Sequence, residues 1–420
     1  MNVPEAISGA KVVVLTGAGA SVPLGLFTTR QFLEDFKAKD AQALKQQGLE
    51  VALSFVLSEA AIHDFDIENV LDLLERRQEA VRLLLEDRRL VENVPRERLD
   101  AARKYASEAA QIDAAIRHKV VEHYSSVDAA LAASLYRPML REFRAWFTRI
   151  PELGNTLPFF TLNYDPSVEL AAARLSGEPA DQNGQQLPVR LVAGLAPSAD
   201  DAEPRWSRLP FETYEESAAD LGVVLVKLHG SIRWGRDTRA NAGNRIVQVA
   251  TGVGRDPGYY RTAILYPTLA PKPVNDEPFR TGYRLLRACL RRTKFFVVIG
   301  CRLRDPELVA EIRDALEENE DLHLVRVGPT VDHAAVCEAL ALDSGRNRVS
   351  ALRAEFALAR PQSESTLPGG ILPRQWLMGC LRTLALEAYG VKDVSGGSHY
   401  GETQICDRRA GIGRASITRD

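Results

Sequence analysis

No two of the five cysteines (Cys289, Cys301, Cys337, Cys380 and Cys406) lie close enough to form the C-x2-4-C pairs on which structural zinc sites draw. Their odd number and wide spacing also argue against a disulfide framework, so a reducing cytoplasm is the expected compartment and no metal is expected. No uninterrupted apolar stretch approaches the roughly 20 residues that a membrane span needs, and the opening residues lack the basic and apolar pattern of a secretory signal. An excess of charge is missing too. Lys and Arg total 53 against 56 Asp and Glu, a net charge of -3, which leaves no whole-chain footprint for nucleic acid. There is no internal repeat. What remains is an ordinary globular composition, 45% hydrophobic and 26% charged, and 420 residues suggest two or three structural units.

The segment VVVLTGAGASVPLG (12 to 25) runs from a β-branched apolar stretch into Gly17, Gly19 and Ser21. A first strand feeding a first helix at 28 to 38 is predicted. The glycines fit either a phosphate approaching the backbone or a plain tight turn, because G-x-G-x-x-G is incomplete here. From about 40 to 150 the pattern is helical. DIENVLDLLERRQEAVRLLLEDRRLVENV repeats Val and Leu at three- and four-residue intervals. SVDAALAASLYRPMLREFRAWFTRI carries a further stripe, with Ser125 or Ser126 expected as N-cap and Pro138 expected to break or kink the helix. Apolar runs return in LPFFTLNYD, GVVLVKLHGS, KFFVVIGCRLRDPEL and LHLVRVGPT, each ending in Gly, Asn, Asp, Ser or a turn. Continuous apolar strands of this kind fit a parallel sheet covered on both faces, with functional residues at the carboxyl ends of the strands. Residues 176 to 215 read as loop, and 236 to 260 as loop or short hairpin.

The expected fold is therefore α/β, a Rossmann-like parallel sheet with helices on both faces and a large all-helical insertion. The expected division is a first part of the sheet domain (1–38), the helical insertion (39–152), the remainder of the sheet domain (153–335), a C-terminal helical region (336–391) and a mobile tail (392–420).

Four strand ends carry short polar or glycine motifs. These are Gly17-Ala18-Gly19-Ala20-Ser21, Thr161-Leu162-Asn163-Tyr164-Asp165, Leu228-His229-Gly230-Ser231 and Gly300-Cys301-Arg302-Leu303-Arg304-Asp305. In this order they resemble the sirtuin-like NAD-binding family, whose pattern runs GAG-x-S, T-x-N-x-D, L-H-G-S and G-x-S-L. They look most like its bacterial antiphage-defence branch, whose members hydrolyse NAD. Gly25-Leu26 and Arg30 fall where that pattern has Gly-Ile and Arg, and FDIENVLDLLE resembles the defence-type members. Two departures stand out. The two C-x-x-C pairs of the protein deacetylases are absent, and Thr28-Thr29 replace the Asp-Phe that precedes the arginine, which implies a differently shaped or more open pocket.

The resemblance implies NAD as substrate, with Asn163 and His229 catalytic and Gly17, Ala18, Gly19, Ser21, Arg30, Asp165, Ser231, Gly300 and Arg302 holding the dinucleotide. The chemistry suits these residue types. Backbone N–H groups of a glycine loop can receive a diphosphate, an amide both donates and accepts, and an imidazole titrates near neutral pH as a general base should. Local readings stand beside these roles. Asn163 fits a turn, His229 a core position, Asp165 a cap for a helix starting at Pro166, and Asp305 an N-cap followed by proline. His63, His118, His123, His323, His333 and His399 read as structural. The arginine run 284 to 294 reads as a solvated helix face, with direct nucleic-acid contact as the lesser alternative. The resemblance further implies a trigger delivered by a partner, a HerA-type ATPase or a short Argonaute, and the insertion is expected to support a homo-oligomer. The alternatives to an NAD hydrolase are a nuclease subunit of such a defence complex, a non-catalytic NAD- or ADP-ribose-binding module and, third, a deacetylase.

Overall fold

The computed structural model describes residues 3–63, 65–177, 187–196, 204–237, 245–248, 260–264, 275–328, 333–341 and 349–353. In chain order these form α1 (Glu5–Ser8), β1 (Val12–Thr16), α2 (Thr29–Lys39), α3 (Ala41–Gln46), α4 (Glu50–Ile62), α5 (Ile67–Glu86), α6 (Arg88–Asn93), α7 (Arg96–Ser125) and α8 (Ala129–Arg149). Then come β2 (Thr156–Thr161), α9 (Ser167–Ser176), β3 (Val189–Val192), β4 (Leu195–Ala196), β5 (Arg205–Trp206), α10 (Leu209–Glu212), β6 (Leu221–Lys227), β7 (Gly230–Asp237), β8 (Ile246–Gln248) and β9 (Tyr260–Ile264). The last are α11 (Phe279–Leu290), β10 (Phe295–Ile299), α12 (Pro306–Glu318), β11 (His323–Gly328), α13 (His333–Ala339) and β12 (Val349–Arg353).

Seven strands make one wholly parallel sheet in the order β12-β11-β10-β1-β2-β6-β3. Alternation along each strand sends its side chains to two cores. Val12 and Val14 of β1, Phe159 of β2 and Val297 of β10 face one side. Val13, Leu15, Phe160 and Val298 face the other. The first core is closed by α2 to α5 and α7 to α9, through Phe36, Leu71, Ile116, Tyr136 and Phe143 among others. The second is closed by α11, α12 and α13, through Leu285, Ile312 and Val336. The fold is thus α/β and Rossmann-like, with helices on both faces. The long helical stretch is not an appendage, because it supplies one whole side of the hydrophobic core. Each such buried Phe or Leu contributes about 1.5–3 kcal/mol.

Local details differ from the sequence reading. The N-cap of α8 is Asp128, whose carboxylate accepts from Leu131 N at 2.7 Å, because α7 runs on through Ser125 with Ser126 as its C-cap. The helix also continues through Pro138 without a break. Proline forfeits one backbone bond there, and burial of Tyr136, Met139, Leu140 and Phe143 on either side offsets it. The stretch 176 to 215, read as loop, contributes β3 to the sheet edge and β4 and β5 to a second sheet. That second sheet is antiparallel, in the order β4-β5-β8-β7-β9. β12 is a strand paired with β11 inside the 336–391 region read as helical. Residues 336–339 of that region are helical, as the end of α13, while 342–348, 354–391 and the 392–420 tail, with Cys380, Cys406 and His399, lie outside the described residues.

Candidate functional site

The four motifs are up to about 290 residues apart in sequence, yet they follow β1, β2, β6 and β10, which are neighbours in the sheet (β10-β1-β2-β6). All four therefore leave the same edge. Chain order reverses around β1, with β2 on one side and β10 on the other, and crevices form at such switch points in open parallel sheets.

The loop after β1 is held tightly. It forms two single turns, Ala18–Ala20 and Val22–Leu24, ending at Gly25 with φ of 81°. Gly17 N donates to Ile299 O and Gly19 N to Gly300 O, each at 2.9 Å, while Ala20 N and Ser21 N bond back to Gly17 O and Ala18 O. The expectation that this loop presents a row of backbone N–H groups to a diphosphate therefore needs revision. Those of Gly17, Gly19, Ala20 and Ser21 are spent on carbonyls. The glycines have a reason inside the protein. A Cβ on Gly17 or on Gly19 would stand 2.9 Å from backbone of the 300–301 segment, and one on Gly300 would stand 2.3 Å from Ala20 N. Two loops meet backbone to backbone, and side chains are excluded.

Beneath this loop lies a buried polar chain. Asn163 Nδ2 donates to Gly17 O (3.0 Å) and to Ser21 Oγ (2.8 Å), and Ser21 Oγ donates to Asp165 Oδ2 (2.9 Å). The other oxygen of Asp165 accepts from Ser167 N, the first residue of α9 (2.9 Å), while the N-cap position itself falls on Pro166, one residue later than the sequence reading put it. Asn163, Asp165 and Ser21 are only 7%, 2% and 2% exposed. Asn163 N is held by Thr161 Oγ1, which in turn accepts from Thr16 Oγ1 across the β1–β2 pair. From below, the ammonium of Lys227, the last residue of β6, donates to Asp165 O at 2.6 Å and lies 3.2 Å from Glu169. Tyr136 reaches up from α8 to Ser167 Oγ (3.3 Å), and burial together with the nearby Asp165 carboxylate pushes its hydroxyl pKa well up.

His229 and Asp305 meet from adjacent motifs. Nε2 of His229 lies 2.5 Å from Oδ2 of Asp305, with the side chains 3% and 4% exposed. Ser231 is fully buried. Its hydroxyl donates to Tyr164 O (3.3 Å) and accepts from Arg233 N (3.2 Å), which ties the L-H-G-S turn to the T-x-N-x-D turn. Arg302 and Arg304 are exposed, while Leu303 between them is buried. Arg30 is exposed in the first turn of α2. Cys301 is buried, which pushes its thiol up to about 11 and away from nucleophile chemistry.

The helical stretch also touches the site, through Asp66, Glu68 and Tyr124, which sequence reasoning missed, and through His123, which it read as structural. Glu68 in the first turn of α5 is buried and accepts from Tyr164 OH, the middle residue of N-Y-D. Asp66, the N-cap of α5, accepts from Thr29 Oγ1 at 2.9 Å. Phe27 is clamped at both backbone groups. Its N–H donates to His123 Nε2 and its carbonyl accepts from Tyr124 OH, each at 2.9 Å, with the His123 ring stacked on Phe27 at 4.4 Å. Thr28 is a helix cap, in a reciprocal capping box with Gln31. Its place in the family pattern therefore has a local structural use, and an aromatic stands one residue earlier. The available sequence signal was the buried-face Glu in FDIENVLDLLE.

A sequence comparison finds one partial match to a known family. Residues 158–341 match a SIR2-like domain. This SIR2-like segment contains Asn163, Asp165, His229, Ser231, Gly300 and Arg302, while the 17–21 loop and Arg30 precede it. Among solved structures, a Sir2 homologue in complex with ADP-ribose is 14% identical, covering 92% of this chain and 97% of that one with a TM-score of 0.36. A Sir2 homologue–NAD complex is 12% identical, covering 90% and 93%, at 0.40. Sir2 bound to acetylated peptide is 10% identical, covering 91% and 94%, at 0.35. No curated protein matches the chain. Among the described residues, no group of three or more His, Cys, Asp or Glu side chains is placed to hold a metal ion, and no helix is long and apolar enough to cross a membrane.

Proposed function

We propose that this chain is an NAD+ hydrolase. It would cleave the bond between nicotinamide and ribose to give nicotinamide and ADP-ribose. The observation that carries the reading is the arrival of Asn163 and His229 at one sheet edge, on neighbouring strands, within a SIR2-like domain. In the proposed reaction the glycosidic bond breaks with its electron pair passing to the pyridinium nitrogen, which leaves as neutral nicotinamide. The ribose carbon becomes oxocarbenium-like, as in glycoside hydrolysis. Water adds to it, and His229 takes the proton. Asn163, its amide hydrogens spent on Gly17 O and Ser21 Oγ, would offer its side-chain carbonyl to the ribose or to that water. Gly17, Ala18, Gly19, Ser21, Gly300, Ser231 and Asp165 would form the walls of the dinucleotide site, with Arg30 and Arg302 reaching the phosphates from its rim. Because four N–H groups of the 17–21 loop are already bonded, binding would reach the loop through Ala18 or would loosen its seam with Gly300.

The same reading extends to biology. NAD depletion in bacterial antiphage defence, in the cytoplasm, would be triggered by a partner such as a HerA-type ATPase or a short Argonaute, with homo-oligomers formed in part through the helical stretch. Exposed Val51 and Ile62 on α4 supply apolar surface for such association. The test is incubation of the purified protein with NAD, alone and with candidate partners, while nicotinamide release is followed. His229→Ala and Asn163→Ala are each expected to lower turnover by about 10²–10⁴-fold with the fold intact. Wild-type turnover in a folded His229→Ala protein would remove that residue from the mechanism.

A further inference from the structure

Asp305 does two things with two oxygens. Its Oδ1 accepts from Glu307 N (3.1 Å) and Leu308 N (3.3 Å), capping α12. Its Oδ2 is not used by the cap; it lies 2.5 Å from His229 Nε2 and, more distantly, accepts from the buried Tyr283 hydroxyl at 3.5 Å. The backbone brings it there at a cost. Gly300 has φ of 64° and Leu303, which is not glycine, has φ of 53°. A left-handed leucine is a conformation that L-residues avoid and that persists only where the surroundings enforce it. These two residues turn the chain after β10 so that the first residue of the next helical unit faces the L-H-G-S turn of β6.

The chemistry follows from what each group can offer. Two backbone donors and the N-terminal end of a helix suit an ionised carboxylate. A carboxylate only accepts, so the hydrogen between the two groups belongs to Nε2, and the lone pair of the neutral ring is on Nδ1. We propose that Asp305 is a positioning residue for His229, fixing both the ring orientation and the tautomer in which Nδ1 is the basic atom. This rests on the NAD hydrolase reading, in which Nδ1 then takes the proton of the attacking water. Capping alone does not account for aspartate here. Serine, threonine or asparagine would cap α12 as well, without a second oxygen directed at the imidazole.

The decisive variant is Asp305→Asn in the full chain. Asparagine is a good N-cap, so the urea unfolding midpoint is expected to stay close to wild type. Its amide would donate to Nε2 and drive the hydrogen to Nδ1. ¹⁵N-histidine NMR should show His229 with hydrogen on Nε2 in the wild-type protein and on Nδ1 in the variant. Nicotinamide release should lose about 10²–10⁴-fold in kcat with KM for NAD little changed, the signature of a wrong tautomer. Should the asparagine variant fail to fold, Asp305→Ser keeps a capping hydroxyl, removes the oxygen at Nε2 and is expected to show the same kcat loss. Retention of hydrogen on Nε2 in a folded Asp305→Asn protein, or a kcat within about threefold of wild type, would overturn the proposal. If the wild-type protein releases no nicotinamide with any partner, the hydrolase reading fails, and the NMR tautomer still decides the role of Asp305.

Discussion

The glycines of the 17–21 loop distinguish a packing role from a ligand role, and Gly19→Ala separates them. The added Cβ would stand 2.9 Å from both Cα and O of Gly300, and these are backbone atoms that cannot swing aside. Overpacking of this kind costs about 1–3 kcal/mol. Part of it is offset by the reduced freedom of the unfolded chain, about 0.4–1 kcal/mol for Gly to Ala. The net expectation is a loss of about 1–2 kcal/mol in the protein without NAD. Gly300→Ala should be worse. Its Cβ would meet Ala20 N at 2.3 Å and Gly19 C at 2.6 Å, and its φ of 64° adds left-handed strain. Together these amount to about 3 kcal/mol or more. Gly25→Ala provides the control, with φ of 81° but nothing within 4 Å, and should lose only about 1 kcal/mol. Urea unfolding followed by far-UV circular dichroism, without NAD, gives the order Gly300, Gly19, Gly25. Calorimetric titration with NAD gives the affinities. If Gly19→Ala unfolds at the wild-type urea concentration and yet binds NAD more weakly, the glycine serves the ligand and the packing argument is wrong.

Three further outcomes are expected. Lys227→Met should cost about 2–4 kcal/mol in urea unfolding, because it leaves the Asn163 and Asp165 carbonyls and the partly buried Glu169 carboxylate without the ammonium. A loss below about 1 kcal/mol would mean that water replaces it. His123 should make stability depend on pH. Burial, partly opposed by Asp35 and reinforced by Lys39, lowers its pKa below the ordinary 6.5, and the neutral ring accepts the Phe27 N–H. The unfolded chain then binds the proton first, so the contribution is complete above about pH 6.5 and is lost as pH falls toward the folded pKa. The difference in unfolding free energy between pH 7.5 and 5.5 should shrink in His123→Gln, and an unchanged difference would assign the effect to other groups. Tyr164→Phe removes the hydroxyl that joins the N-Y-D turn to buried Glu68. It should destabilise by about 1–3 kcal/mol, and a variant as stable as wild type would count against that tie.

Much of this protein was determined locally and so was legible in the sequence. Val12 to Leu15, Phe159-Phe160 and Phe295 to Ile299 are short apolar runs ended by turn residues, and they are strands because a strand buried on both faces needs little else. The Asp305-Pro306 cap and the helical period from 29 to 149 are equally local. The second sheet was not legible. β4, β5 and β8 are two or three residues long, and β7 and β9 are strands by virtue of pairing with each other across 22 intervening residues, which no local propensity reports. The same holds within the site. Sequence pattern selected Asn163, Asp165 and His229. Only the parallel order β10-β1-β2-β6 set Asp305 against His229, Gly300 against Gly19 and Lys227 beneath Asp165. Side-chain period and turn chemistry are written in neighbouring residues. Contacts between loops depend on which strands lie side by side, and that is decided by how two apolar faces and their covering helices pack into one core.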